Sequence, residues 1–162
     1  MKNILTYIAL ILVFVFQSTI GRHIEVLHIV PNLILVFVVC YSMNAEPVKA
    51  TVLAIVAGII MDLFAAKHLG INALMMMYFG MFLSCVTSGY IRTNFVTALV
   101  CVAVATLFYE GIYAFLMYFI FGRITAGTLF LVAFLEAVYN TVTACALYWL
   151  CRYLAYDEVR SF

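Results

Sequence analysis

Three acidic residues stand inside long apolar stretches of this sequence: Asp62, Glu110 and Glu136. Charged side chains are sparse overall, with eight Lys and Arg and seven Asp and Glu residues among 162. A carboxyl group inside a membrane is costly, so it typically marks a proton or ion path, a contact between helices, or a binding site for a partner. These acids are therefore the first candidates for function.

Asp62 continues a row of small residues that recur every fourth position, Ala50, Ala54 and Gly58. Such a row lets another helix approach closely, and it places Asp62 on a face that contacts protein. Two interpretations remain open. The face is a helix or partner contact organised around Asp62, or the carboxyl lies near the outer helix end and reaches Lys67 or the membrane interface.

Glu136 begins a polar row that Asn140 continues one helical turn later, and Glu110 is expected at similar depth on the preceding, antiparallel helix. The chain has no basic residue at that depth. Each carboxyl is therefore protonated and hydrogen-bonded, solvated in a cavity, or paired with a residue of another protein. We predict a polar pocket formed by Glu110, Glu136 and Asn140. The inner halves of these helices offer no titratable chain, which disfavours ion-coupled transport.

Other chemistry has little support in the sequence. It contains no nucleophile motif, phosphate-binding glycine loop or paired-carboxylate hydrolase pattern, so we expect neither an enzyme nor a cofactor. The basic residues form no stripe, which argues against nucleic-acid binding. The cysteines show no CxxC spacing, and we expect no disulfide. We also predict no metal site, because no established zinc pattern fits the residues on the outer side: His23, Glu25, His28 and His68.

The apolar runs that carry these residues predict an all-α integral membrane protein. The sequence is 69% hydrophobic, and its mean hydropathy is +1.21. A membrane-spanning helix needs about 20 apolar residues. We therefore expect a single integral membrane domain over residues 1–162, a six-helix bundle with an uncleaved first span. The approximate spans are 3–20, 31–45, 48–66, 72–90, 95–121 and 128–152.

The basic residues give the expected orientation. With six spans, both chain ends lie on the same side of the membrane, and basic residues favour the cytoplasm. Placing both termini in the cytoplasm puts five basic residues inside (Lys2, Lys49, Arg92, Arg152, Arg160) and three outside (Arg22, Lys67, Arg123). We expect cytoplasmic termini.

Several residues near the span ends have local roles of their own. Pro31, which precedes Asn32, is suited to the first position of a helix. Gly70 permits a tight reversal, and Asn72 can cap the helix that follows. Together with the row ending at Asp62, these residues are candidates for partner binding or for a structural role.

Three segments of the chain resemble a known family, the rod shape-determining membrane protein MreD. They are Pro31–Leu35, Ala57–Phe64 and Leu69–Leu74. Their order and spacing carry the resemblance, which covers mainly residues 31–80. Residues 95–162 match only in general hydropathy, so Glu110 and Glu136 inherit no role from the family.

The resemblance implies a non-enzymatic component of the bacterial cell-wall elongation machinery in the cytoplasmic membrane. Its partners would be the bitopic protein MreC, cytoplasmic MreB filaments, and the peptidoglycan polymerase RodA with a class B penicillin-binding transpeptidase.

The family resemblance also implies a fold like that of the substrate-binding subunits of energy-coupling-factor transporters. The alternative function is therefore a small-solute, vitamin-like binding subunit. Those subunits commonly dock through an Ala-x-x-x-Ala face on the first helix, where this chain has Ala9 alone. This difference favours the scaffold.

Overall fold

The computed structural model describes residues 2–20, 30–65, 70–89, 94–121 and 126–155. Within them the chain forms six α-helices, and each lies within three residues of an expected span. They are α1 (Lys2–Ile20), α2 (Leu33–Ser42), α3 (Pro47–Ala65), α4 (Ile71–Gly89), α5 (Phe95–Phe121) and α6 (Ala126–Ala155).

The helices differ in their ability to cross a membrane. Four of them, α3 to α6, are long and apolar enough to do so. In contrast, α2 has only ten residues. At 1.5 Å per residue its length is about 15 Å, half of a hydrocarbon core of about 30 Å. The protein is therefore a multi-pass membrane protein in which one short helix lies among longer ones.

The short helix α2 is the centre of the bundle. It contacts each of the other five helices, and all ten of its residues are buried. A helix that is apolar on every side is typically surrounded by protein, and α2 fits that rule. Around it, α3 packs against α4 and α5 packs against α6, while α1 contacts α2 and α6.

The start of α2 differs from expectation. Pro31 was predicted at the first helical position, but it lies outside the helix, which begins at Leu33. Asn32 is the N-cap instead, because its Oδ1 accepts a hydrogen bond from the Leu35 backbone at 3.1 Å. Capping by an asparagine side chain satisfies a helix amide that has no intrahelical partner.

Small residues bring α3 and α4 into close contact. A Cβ at Gly80 of α4 would lie 2.6 Å from the Ala54 Cβ and 3.1 Å from the Ala50 carbonyl oxygen. Further along α3, a Cβ at Gly58 would lie 2.7 Å from the Ala73 nitrogen. The residues Ala50, Ala54 and Gly58 are buried by this contact. The close partner of the small-residue row is thus α4 of the same chain.

The outside of the bundle is apolar. Large hydrophobic side chains are exposed on the outer helices, including Tyr78 and Phe82 on α4 and Phe108 and Phe115 on α5. Lipid tails solvate such side chains well, so this exterior suits a bilayer.

We expect Gly58→Ala to lower stability and Gly111→Ala not to. The added methyl at Gly58 meets the α4 backbone, and overpacking of this kind costs about 1–3 kcal/mol. Gly111 has nothing within 4 Å of its Cβ position, so alanine there only gains helix propensity, about 1 kcal/mol. Thermal unfolding in detergent micelles measures both. Equal midpoints for the two variants would contradict the close α3–α4 contact.

Candidate functional site

Asp62 binds the first turn of α4. Its Oδ2 accepts hydrogen bonds from the backbone amides of Gly70 at 2.9 Å and Ala73 at 3.0 Å, and its Oδ1 accepts one from Asn72 at 3.2 Å. The first amides of a helix lack intrahelical acceptors, and an acidic side chain is favourable there. These three hydrogen bonds explain why the Asp62 carboxyl group can be buried, with only 3% of the residue exposed. Lys67, the other suggested partner, lies outside the described residues.

Gly70 makes this contact possible. Its φ is 98°, in the left-handed region that favours glycine, and its amide points to Asp62. The reversal directly before Ile71 therefore brings the start of α4 onto the end of α3.

Asn72 does not cap α4, contrary to the sequence-based expectation. It is the second residue of the helix, and its backbone amide, not its side chain, takes part in the cap by donating to Asp62. The position before the helix is Gly70, which has no side chain, so a carboxyl from α3 fills the role. The Asn72 side chain is used elsewhere, because its Oδ1 accepts a hydrogen bond from the Tyr109 hydroxyl on α5.

The start of α2 is held by side chains from two other helices. Asn140 Oδ1 on α6 accepts a hydrogen bond from the Asn32 amide at 2.8 Å. Gln17 Oε1 on α1 accepts one from the Ile34 amide at 3.1 Å. Together with the Asn32 cap on Leu35, these bonds satisfy three amides inside the bundle, where water is not available.

Glu110, Glu136 and Asn140 come together between α5 and α6. Glu110 of α5 and Glu136 of α6 lie close to each other, and Glu136 is one helical turn before Asn140. Asn140 Nδ2 also donates to Thr106 Oγ1 of α5 at 3.1 Å. The three residues of the predicted pocket are thus neighbours, and Asn140 joins α6 to α5 through Thr106. Their joint role as a polar pocket stays a prediction.

Tyr109, which precedes Glu110 on α5, connects α5 to α4. It is 4% exposed, its hydroxyl donates to Asn72, and its ring lies 6.4 Å from that of Phe79 between centroids. Tyr109 therefore joins α5 to the first turn of α4.

The sequence identified some of these residues and missed others. Tyr109 and Thr106 were not singled out as bonding partners, and neither was Gln17. A polar side chain in a membrane span is itself a signal that it has a buried partner, and that signal was present for all three. The outer-side residues considered for zinc lie outside the described segments: His23, Glu25, His28 and His68.

Two cavities formed by described residues are unlike a site for a polar solute. One is an open apolar groove of about 300 Å³ on α5, lined by Leu107, Phe108, Gly111, Ile112 and Phe115. The other, of about 30 Å³, lies against Thr6, Tyr7, Tyr41, Lys49 and Leu53. The first offers no polar recognition, and the second is about the size of one water molecule.

The fold and the buried polar residues identify a class of protein: a multi-pass helical membrane protein whose polar side chains form hydrogen bonds inside the bundle. In the described part of the chain, no group of three or more His, Cys, Asp or Glu residues could hold a metal ion.

A family model described as rod shape-determining protein MreD matches residues 1–156. The chain belongs to this MreD family of shape-determining membrane proteins. Comparison with curated proteins and with solved structures gave no match.

We expect Asp62→Leu to destabilise the α3–α4 hairpin strongly. The change leaves three backbone amides without their acceptor, and each buried, unsatisfied group costs about 1–3 kcal/mol. The stability of Asp62→Asn should lie between those of the wild type and Asp62→Leu, because the asparagine side chain keeps one acceptor oxygen. The measurement is the thermal unfolding midpoint of each variant. The control is Glu46→Gln, which removes only an exposed ion pair to Lys49 at 3.3 Å. If Asp62→Leu unfolds at the Glu46→Gln temperature, the capping role is wrong.

We expect Asn140→Ala to loosen the start of α2. The variant removes the acceptor of the Asn32 amide and the donor to Thr106, at a cost of about 2 kcal/mol or more. Amide hydrogen exchange at Asn32 reports the loss directly. The matched control is Thr141→Ala on the same helix, whose hydroxyl bonds only within its own helix at Ala137. Unchanged exchange at Asn32 in the Asn140 variant would contradict the assignment.

Proposed function

We propose that this chain is a non-enzymatic scaffold of the bacterial cell-wall elongation complex in the cytoplasmic membrane. It binds a bitopic MreC-like protein and maintains rod shape. Through that pair it links MreB filaments to RodA and a class B penicillin-binding transpeptidase. The observation that carries the proposal is the family match over residues 1–156.

The distribution of polar groups supports a scaffold. Asp62, Asn140 and Gln17 bond to backbone amides of their own chain, so these side chains are occupied in holding the bundle together. The exposed surface of the helices is apolar and aromatic. A partner that crosses the membrane with one helix meets such a surface by side-chain packing, which drives helix association in lipid.

We place both termini in the cytoplasm. Lys49 near the start of α3 and Arg152 near the end of α6 lie toward the same end of the bundle, because consecutive long helices run antiparallel. Trp149, beside Arg152, is 63% exposed, and the centre of its ring lies 5.9 Å from the Arg152 guanidinium carbon. Basic side chains are enriched on the cytoplasmic side of membrane proteins, and tryptophan is enriched at both membrane interfaces.

Purification of the tagged protein from its native host in mild detergent tests the scaffold. We expect mass spectrometry to find an MreC-like protein together with the wall synthases, because the proposed complex is held by contacts between membrane helices. A tagged, unrelated six-helix protein from the same membrane is the control for non-specific retention.

A reciprocal purification with the tag on the MreC-like protein should retain this chain. Retention of an ATPase module and its membrane coupler, in place of wall synthases, would contradict the scaffold and identify a transporter subunit.

A further inference from the structure

A small polar cavity lies at one end of the bundle, where α1 and α3 begin and α2 ends. Thr6 is four residues from the start of α1, and Lys49 is two residues from the start of α3, so both lie within about 6 Å of a helix end at 1.5 Å per residue. This depth is at the border between the hydrocarbon core and the headgroups. We call the site the Lys49 cavity, and the described residues that line it are Thr6, Tyr7, Tyr41, Lys49 and Leu53.

The Lys49 cavity is rich in hydrogen-bond donors. Three of its side chains carry hydroxyl groups, and the Lys49 ammonium has three N–H donors and no acceptor. Thr6 and Tyr41 are buried, with 2% and 3% of each residue exposed, whereas the Lys49 side chain is 39% exposed. Residues held by packing thus place hydroxyl groups beside a cation that the headgroups can reach. An occupant that accepts hydrogen bonds and carries negative charge suits such a site best.

The size of the cavity determines how much of a ligand it can take. Its volume of about 30 Å³ is close to that of one water molecule, so it cannot enclose a whole solute. One oxygen atom of a phosphate group is of similar size. Such an oxygen can enter the cavity while the remaining atoms of the group stay in the headgroup layer beside Lys49. A phosphate that is attached to a lipid is positioned for this partial entry.

The surface next to the cavity suits the hydrocarbon part of a lipid. Ile4, Ile8, Ile11 and Val15 recur at intervals of three or four residues, so they form one face of α1, and all four are exposed. Tyr7 is one turn before Ile11 and borders this face. The face is about 16 Å long at 1.5 Å per residue, which is about half of the hydrocarbon core and therefore the reach of one acyl chain. This apolar face favours a phospholipid over free phosphate as the ligand.

Glu46 opposes the binding of an anion at this site. Its Oε2 lies 3.3 Å from the Lys49 Nζ, and both side chains are more than a third exposed. An exposed ion pair of this kind contributes little energy, so a phosphate can share Lys49 with Glu46 or replace it. Glu46 therefore weakens the binding of an anion without preventing it.

We propose that the Lys49 cavity binds a phosphate oxygen of an anionic phospholipid, whose acyl chain lies along the exposed face of α1. Basic pockets between transmembrane helices hold anionic headgroups in this way. The site goes beyond the proposed scaffold function and does not depend on it. It gives the bundle a fixed lipid at the junction of α1, α2 and α3.

Native mass spectrometry of the delipidated protein, titrated with phosphatidylglycerol in neutral detergent micelles, tests the site. We expect one tightly held lipid per chain. Lys49→Gln should weaken its binding about fivefold, because it removes the cation from the described lining of the cavity. Tyr41→Phe should weaken it about threefold, because it removes a hydroxyl donor and keeps the ring.

Two variants separate the cavity from other effects of charge. Glu46→Gln breaks the same ion pair but keeps the ammonium, so it should bind the lipid at least as tightly as the wild type. Arg152→Gln removes a cation beside Trp149 at the same end of the bundle, outside the cavity, and should leave lipid binding unchanged. Weakening by either control equal to that of Lys49→Gln would overturn the proposal.

Inorganic phosphate distinguishes the two sources of a phosphate group. At equal concentration it should not displace phosphatidylglycerol, because it has no acyl chain to pack against α1. Displacement would show that the ligand is the free ion and would contradict the lipid site. Equal binding of phosphatidylglycerol to the wild type and to Lys49→Gln would show that the cavity holds water only, and the proposal would be wrong.

Discussion

Backbone amides at helix ends inside a membrane must find acceptors within the protein, and this constraint explains where the polar residues lie. The short helix α2 begins inside the bundle, where Asn32, Gln17 and Asn140 bind its first amides. The first turn of α4 is bound by Asp62 from the preceding helix. Water would serve such amides in a soluble protein, but in lipid the side chains have to do so.

The same bonds fix how the helices sit against one another. Apolar packing has weak directional preference in lipid, since the tails are as apolar as the side chains. Gln17 and Asn140 accept hydrogen bonds from backbone amides at the start of the central helix and so attach α1 and α6 to it, and Tyr109 attaches α5 to α4. The interior thus holds a defined arrangement, and the apolar exterior is left to contact lipid.

The sequence predicted the helices well because apolar runs reflect bilayer thickness directly. It also indicated the close helix contact at Ala54 and Gly58, which the approach of Gly80 and Ala73 confirms. The polar pocket of Glu110, Glu136 and Asn140 stays a prediction. It could not reveal that α2 is the central helix, because the length of an apolar run does not say which neighbours surround it. It also assigned the α4 cap to Asn72, because local rules overlook a carboxyl that arrives from another helix through a glycine turn.

Side chains of other helices accept hydrogen bonds from the backbone amides at the start of α2, inside the bundle. Amide hydrogen exchange in lipid nanodiscs tests it most directly, at Asn32 and Ile34 compared with Val96, in the exposed first turn of α5. First-turn amides ordinarily exchange quickly, because they lack intrahelical acceptors. We expect amide exchange at Asn32 and Ile34 to be as slow as in the middle of α2. Exchange as fast as that of Val96 would contradict it.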